Sequence, residues 1–130
     1  MFFNGKRRFE AAIEDFRQQR PGLQDLFFQR AGASGRPRGL RWVRCEFYGE
    51  PLFARDPTSG QLQGLLGVSV SFEAIEGGGM EEVEAVGNVR AATAVFRLAD
   101  NGWTTDGRTV FNLDPQQTID HFRLTLVEPG

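Results

Sequence analysis

Lysine, cysteine, histidine and tyrosine each occur once in 130 residues. The lone cysteine, Cys45, excludes an internal disulfide and a cysteine metal cluster. A zinc site around the lone histidine, His121, would have to draw nearly all its other ligands from carboxylates, so neither metal nor cofactor is expected. No apolar run approaches the roughly 20 residues that a membrane-crossing helix needs. The opening Met1-Phe2-Phe3-Asn4-Gly5-Lys6-Arg7-Arg8 puts its basic cluster after a very short apolar pair, the wrong order for an export signal. With one thiol and no such signal, the expected location is cytoplasmic, with no membrane partner.

What the chain does have is a globular composition rich in phenylalanine. Hydrophobic residues make up 40% and charged residues 25%, close to folded-domain averages, and twelve phenylalanines supply much of the burial. A chain of 130 residues can sustain one core without staples, so a single domain over 1–130 is expected. The net charge of −2 is unevenly spread: residues 1–44 hold ten basic and four acidic side chains, residues 45–130 five and thirteen. Such asymmetry fits an anionic partner, or attraction between the two halves within one fold or across a dimer. The latter is favoured, because nothing else in the first half resembles a nucleic-acid motif.

Phe9, Ala12, Ile13 and Phe16 fall at i, i+3, i+4 and i+7, the stripe of an amphipathic helix, with Asn4 placed to cap it. Pro21 interrupts the pattern, and Leu23, Leu26 and Phe27 resume it, so helical residues 5–30 are expected to kink or split there. Residues 31–39 read as a basic loop. Four strands follow over 40–113. The first alternates, with Val43, Cys45 and Phe47 on one side and Trp42, Arg44, Glu46 and Tyr48 on the other, and it bends at Gly49-Glu50-Pro51. Asp56-Pro57-Thr58-Ser59-Gly60 marks a turn, and Leu66, Val68, Val70 and Phe72 give the second strand its apolar parity. Gly77-Gly78-Gly79 marks a hairpin into a third strand starting near residue 83, and Asn101-Gly102 suits a turn with positive φ at both central positions. In 114–130, Asp114, Pro115 and Gln117 form the start of a short helix, and an extended segment ends the chain.

This order gives an α+β fold: an N-terminal helix, kinked or split at Pro21, packed on a bent four-stranded antiparallel sheet. Residues 9–16, 43–54, 62–75, 83–98 and 103–113 carry a resemblance to the cystatin-like superfold, which includes the nuclear transport factor 2-like group. The likeness is one of element order. The Gln-Val-x-Val-Gly signature of true cystatins is absent, so protease inhibition is not implied.

Chemistry has few candidates. Tyr48 with Asp106, Asp114 or Asp120 could imitate the tyrosine and acid pairs that move protons beside a carbonyl, and His121 could act as a base. Each also reads as an ordinary strand, turn, cap or surface residue. Cys45 reads as a core residue. The acidic group Glu73, Glu76, Glu81, Glu82 and Glu84 matches no metal-loop spacing and reads as a solvated sheet end. Arg36, Arg38, Arg41, Arg44 and Trp42 are the best nucleic-acid candidates, but a short Arg-Gly loop in an acidic chain reads as a plain loop, so a nucleic-acid partner is not expected. The reverse face of the sheet, with Trp42, Arg44, Tyr48, Arg90 and Phe96 as binding residues, mixes aromatics with charges of both signs, as interfaces do. The expected function is a non-catalytic binding or assembly module, homodimeric through that face. The alternative is a cofactor-independent small-molecule-binding protein, or an isomerase- or lyase-like enzyme, with a pocket between helix and sheet.

Overall fold

The computed structural model describes residues 2–128, and all of their side chains except those of residues 2–6, 84 and 85. Its first element, α1 (Phe2–Ala33), runs unbroken through Pro21. No split occurs because Pro21 and Gly22 stand on the exposed side, while Leu23, Phe27 and Ala31 extend the buried stripe of Ala12, Ile13 and Phe16. Burying a leucine and a phenylalanine at roughly 1.5–3 kcal/mol each outweighs the approximately 3 kcal/mol cost of an interior proline. The helix also starts before residue 5; the side chain of Asn4, read as its cap, lies outside the described residues. It continues three residues beyond residue 30, to a point where Ser34 Oγ donates to the Ala31 carbonyl at 2.6 Å.

Among the described residues the antiparallel sheet has six strands, not the expected four: β1 (Leu40–Arg55), β2 (Leu62–Ala74), β3 (Arg90–Ala99), β4 (Gly102–Thr104), β5 (Thr109–Phe111) and β6 (Thr125–Val127). The order is β4-β3-β2-β1-β6, with β5 also on β3. The expected fourth strand divides because its middle leaves the sheet for the helix. Arg30 Nη1 of α1 donates to the Thr105 carbonyl at 2.8 Å, and Gly107 packs on the backbone of Ala31. The sixth strand exists because α2 (Pro115–Phe122) ends at Arg123 in the left-handed region, φ 54°, which turns the chain back onto Phe53, Ala54 and Arg55 of β1. Asp114 starts α2 with a reciprocal box: its carboxylate accepts the Gln117 N–H at 2.7 Å, and Gln117 Oε1 accepts the Asp114 N–H at 2.9 Å.

Two turns also differ from expectation. Strand β3 starts at Arg90, not near residue 83, after a 3-10 turn (Glu84–Gly87). Val83 and Val89 are exposed, so apolar alternation there had no core to face. Between β3 and β4 the loop residues are Asp100 and Asn101, because Ala99 pairs with Gly102; Gly102 alone takes positive φ, at 118°.

A bulge resets the faces of the sheet. Trp42 pairs with Phe72 and Arg44 with Ser71, so Val43 is an extra residue, half exposed, and Trp42 falls on the same side as Cys45 and Phe47. That side lies under α1. Its centre is Phe16, whose ring meets Phe53, Phe96 and Trp103 edge-on with centroids 5.2–5.5 Å apart. Trp103 Nε1 donates to the Ala12 carbonyl at 2.7 Å, joining β4 to the helix. The other side holds a smaller core of Ala54, Leu65, Val95 and Ile119, with Leu52, Val110 and Leu124 against it. The single helix-on-sheet packing expected from the sequence therefore gains a third layer at the end covered by α2.

Candidate functional site

Beyond α2 and β6, the second side of the sheet is open. It displays Arg41, Arg44, Glu46 and Tyr48 from β1 beside Glu73, Ser71, Ser69 and Gly67 of β2, in that pairing order. Arg41 is ion-paired with Glu73 across the strands, and Arg44 Nε lies 2.8 Å from Glu46 Oε1. All four side chains are more than half exposed, so these pairs contribute no more than about 1 kcal/mol each and can exchange partners. Tyr48 is held more firmly. Its ring lies over Gly67, where a Cβ would stand only 2.5 Å from Tyr48 Cε2. A glycine inside a strand commonly marks such an approach. The tyrosine is thus seated against the sheet while 48% of it remains exposed.

Of the five side chains expected on this face, Arg44 and Tyr48 are here together. Trp42 and Phe96 are not: they are 7% and 0% exposed and pack beneath α1 with Phe27. Arg90 pairs in register with Val70, on the α1 side. The bulge at Val43 moved Trp42. Phe96 was misplaced because β3 is buried on both sides from Ala92 to Phe96, which erases its polar parity. The sequence reading missed Gly67, although a glycine amid the apolar residues of β2 was itself the signal.

Tyr48, Asp106 and His121 are placed in three different settings. Tyr48 shares a cleft of about 300 Å³ with Asp114, whose carboxylate is engaged in capping α2. Asp106 lines a separate cavity of about 670 Å³ past the C-terminal end of α1. It receives Arg97 Nε and Nη2 at 3.0 and 3.2 Å, a pairing that holds its carboxyl below the usual aspartate range. His121 sits on α2 edge-on to Phe122, with centroids 4.7 Å apart. Asp120 accepts from Gln116 Nε2 at 3.2 Å on the same helix.

Burial pushes the Cys45 thiol up to about 12, so it is protonated at neutral pH. Glu81 closes the Gly77-Gly78-Gly79 turn, accepting the N–H groups of Gly77 and Gly79 at 2.8 and 2.9 Å, and these bonds lower its pKa. Among the described residues no three His, Cys, Asp or Glu side chains are grouped to hold a metal ion. No helix among them is long and apolar enough to cross a membrane. Comparison with protein-family models, curated proteins and solved structures finds no match. The architecture itself is α+β, an N-terminal helix against a multi-stranded antiparallel sheet with one open area.

Proposed function

We propose that the chain is a non-catalytic assembly module of cystatin-like build that binds a second copy of itself through the open area of the sheet. The observation carrying this reading is Tyr48, seated over Gly67 and still half exposed, amid matched arginines and glutamates. An aromatic side chain fixed before binding loses little entropy on association and is a typical interface anchor. Two arginines and two glutamates on one face are self-complementary about a two-fold axis, so each copy can offer arginine to the other's glutamate. A stable interface needs about 800 Å² per partner, roughly a tenth of the 8258 Å² surface of this chain.

Sedimentation at micromolar concentration is expected to give the mass of two chains. Tyr48→Ala, which removes an exposed ring and no core contact, should weaken self-association about thirtyfold, or roughly 2 kcal/mol. Arg44→Glu should weaken it as well, and adding Glu46→Arg should restore it. A one-chain mass throughout the micromolar range would sink the proposal.

A further inference from the structure

The cavity past the end of α1 plays no part in self-assembly on the open face. At about 670 Å³ it falls within the size range of small-molecule sites. Part of its lining is apolar: Pro37, with Trp42 and Phe111, whose ring centroids are 6.1 Å apart. The rest is polar, and nearly all of it is engaged. Ser34 Oγ donates to the Ala31 carbonyl, Thr109 Oγ1 donates to the Gly107 carbonyl at 3.0 Å, and Trp42 Nε1 donates to the Arg36 carbonyl at 2.8 Å. Asp106 is paired with Arg97, and the Arg108 guanidinium lies 4.9 Å from the Phe122 ring centroid. Arg36 is the exception. This residue lines the cavity and is exposed, and its side chain has no acidic or aromatic partner among the described residues.

The local charge is one-sided. Arg36 and Arg108 line the cavity, Arg97 binds Asp106 at its wall, and Arg30 reaches the same loop by donating Nη1 to the Thr105 carbonyl at 2.8 Å. The carboxylate of Asp106 is hydrogen-bonded to Arg97 and also lies in the field of Arg30, which leaves Arg36 and Arg108 without an acidic partner among the described residues. A guanidinium beside an apolar surface is suited to a planar acid, because a carboxylate meets its fork in a paired, charge-assisted hydrogen bond while a flat ring covers the apolar part.

We infer that this cavity binds a small aromatic carboxylate, its ring against Phe111 and Pro37 and its carboxylate on Arg36. Naphthoate is the probe, with neutral naphthamide as its uncharged counterpart, each titrated into the full chain and followed by amide NMR spectra. Naphthoate is expected to shift the amides of residues 106–109 and the Trp42 indole N–H, and to bind about tenfold tighter than the amide. Arg36→Gln, at an exposed loop position, should lower naphthoate affinity about tenfold and abolish the preference for the charged probe. Arg17→Gln, on the exposed face of α1 away from the cavity, should change neither. Equal binding of the two probes, indifference to Arg36→Gln, or no shifts at these residues at millimolar naphthoate would each overturn the inference.

Discussion

Gly107 shows how one residue without a side chain sets the wall of a cavity and the break in a strand. Its φ of 83° belongs to the left-handed region, and a Cβ there would lie 2.5–2.8 Å from the backbone of Arg30 and Ala31. Helix backbone cannot swing aside as a side chain can. Gly107→Ala is therefore expected to cost about 2–4 kcal/mol, from left-handed strain and overpacking together. Gly35 provides the comparison: φ is 73°, but nothing lies within 4 Å of its added Cβ. Gly35→Ala should cost about 1 kcal/mol, the conformational part alone. Denaturant melts of both variants measure the difference, and equal losses would show that the close approach to α1 has no energetic weight. Gly67 differs again, since the atoms its Cβ would strike belong to a side chain, the ring of Tyr48, and not to helix backbone.

At the scale of the element, α1 keeps a proline that its own backbone does not favour. Pro21 cannot donate to the Arg17 carbonyl four residues earlier, yet helix persists on both sides. Its side chain is exposed, so Pro21→Ala removes no buried contact. The substitution should stabilise the chain by about 1–3 kcal/mol, visible as a higher thermal midpoint. A lower midpoint would mean that the proline shapes the helix in a way its packing requires.

The same scale shows what could be read from the residues alone. The stripe on α1 and the Asp114–Gln117 box were legible because their causes lie within a turn or two of helix. The bend at Gly49-Glu50-Pro51 was legible too, since the register of β1 against β2 shifts between Tyr48 and Leu52. The bulge at Val43 was not, because its cause is long-range: Trp42 gains a place against Phe27 and Phe72 that simple alternation would deny it. The division into β4 and β5 depends likewise on Gly107 meeting α1, some seventy-five positions earlier in the chain. Arg44 and Tyr48 were placed correctly because both lie past the Val43 bulge and before the next irregularity, where period-two counting holds.

For the whole molecule, the question is where the opposite charges of its two parts are brought together. Residues 1–44 are strongly basic and residues 45–130 strongly acidic. Within the fold, Arg41 with Glu73 and Arg44 with Glu46 join the two on the sheet, while Arg17 pairs with Glu14 in its own helix, and Arg7, Arg8, Arg36 and Arg38 stand exposed. Exposed pairs contribute little, and the stabilising burial lies in the phenylalanine-rich core beneath α1 and in the smaller core beneath α2. Charge should therefore matter more between copies than within one. At about 1 M salt the Debye length shrinks to roughly 3 Å, and exposed ion pairs lose most of their attraction. The thermal midpoint of the chain at high dilution should then move by only a few degrees, while self-association should weaken about tenfold. Scanning calorimetry and sedimentation over the same salt series measure the two quantities. A midpoint that collapses with salt while association holds would place the attraction inside the single chain, and would leave the arginines and glutamates beside Tyr48 without a role in assembly.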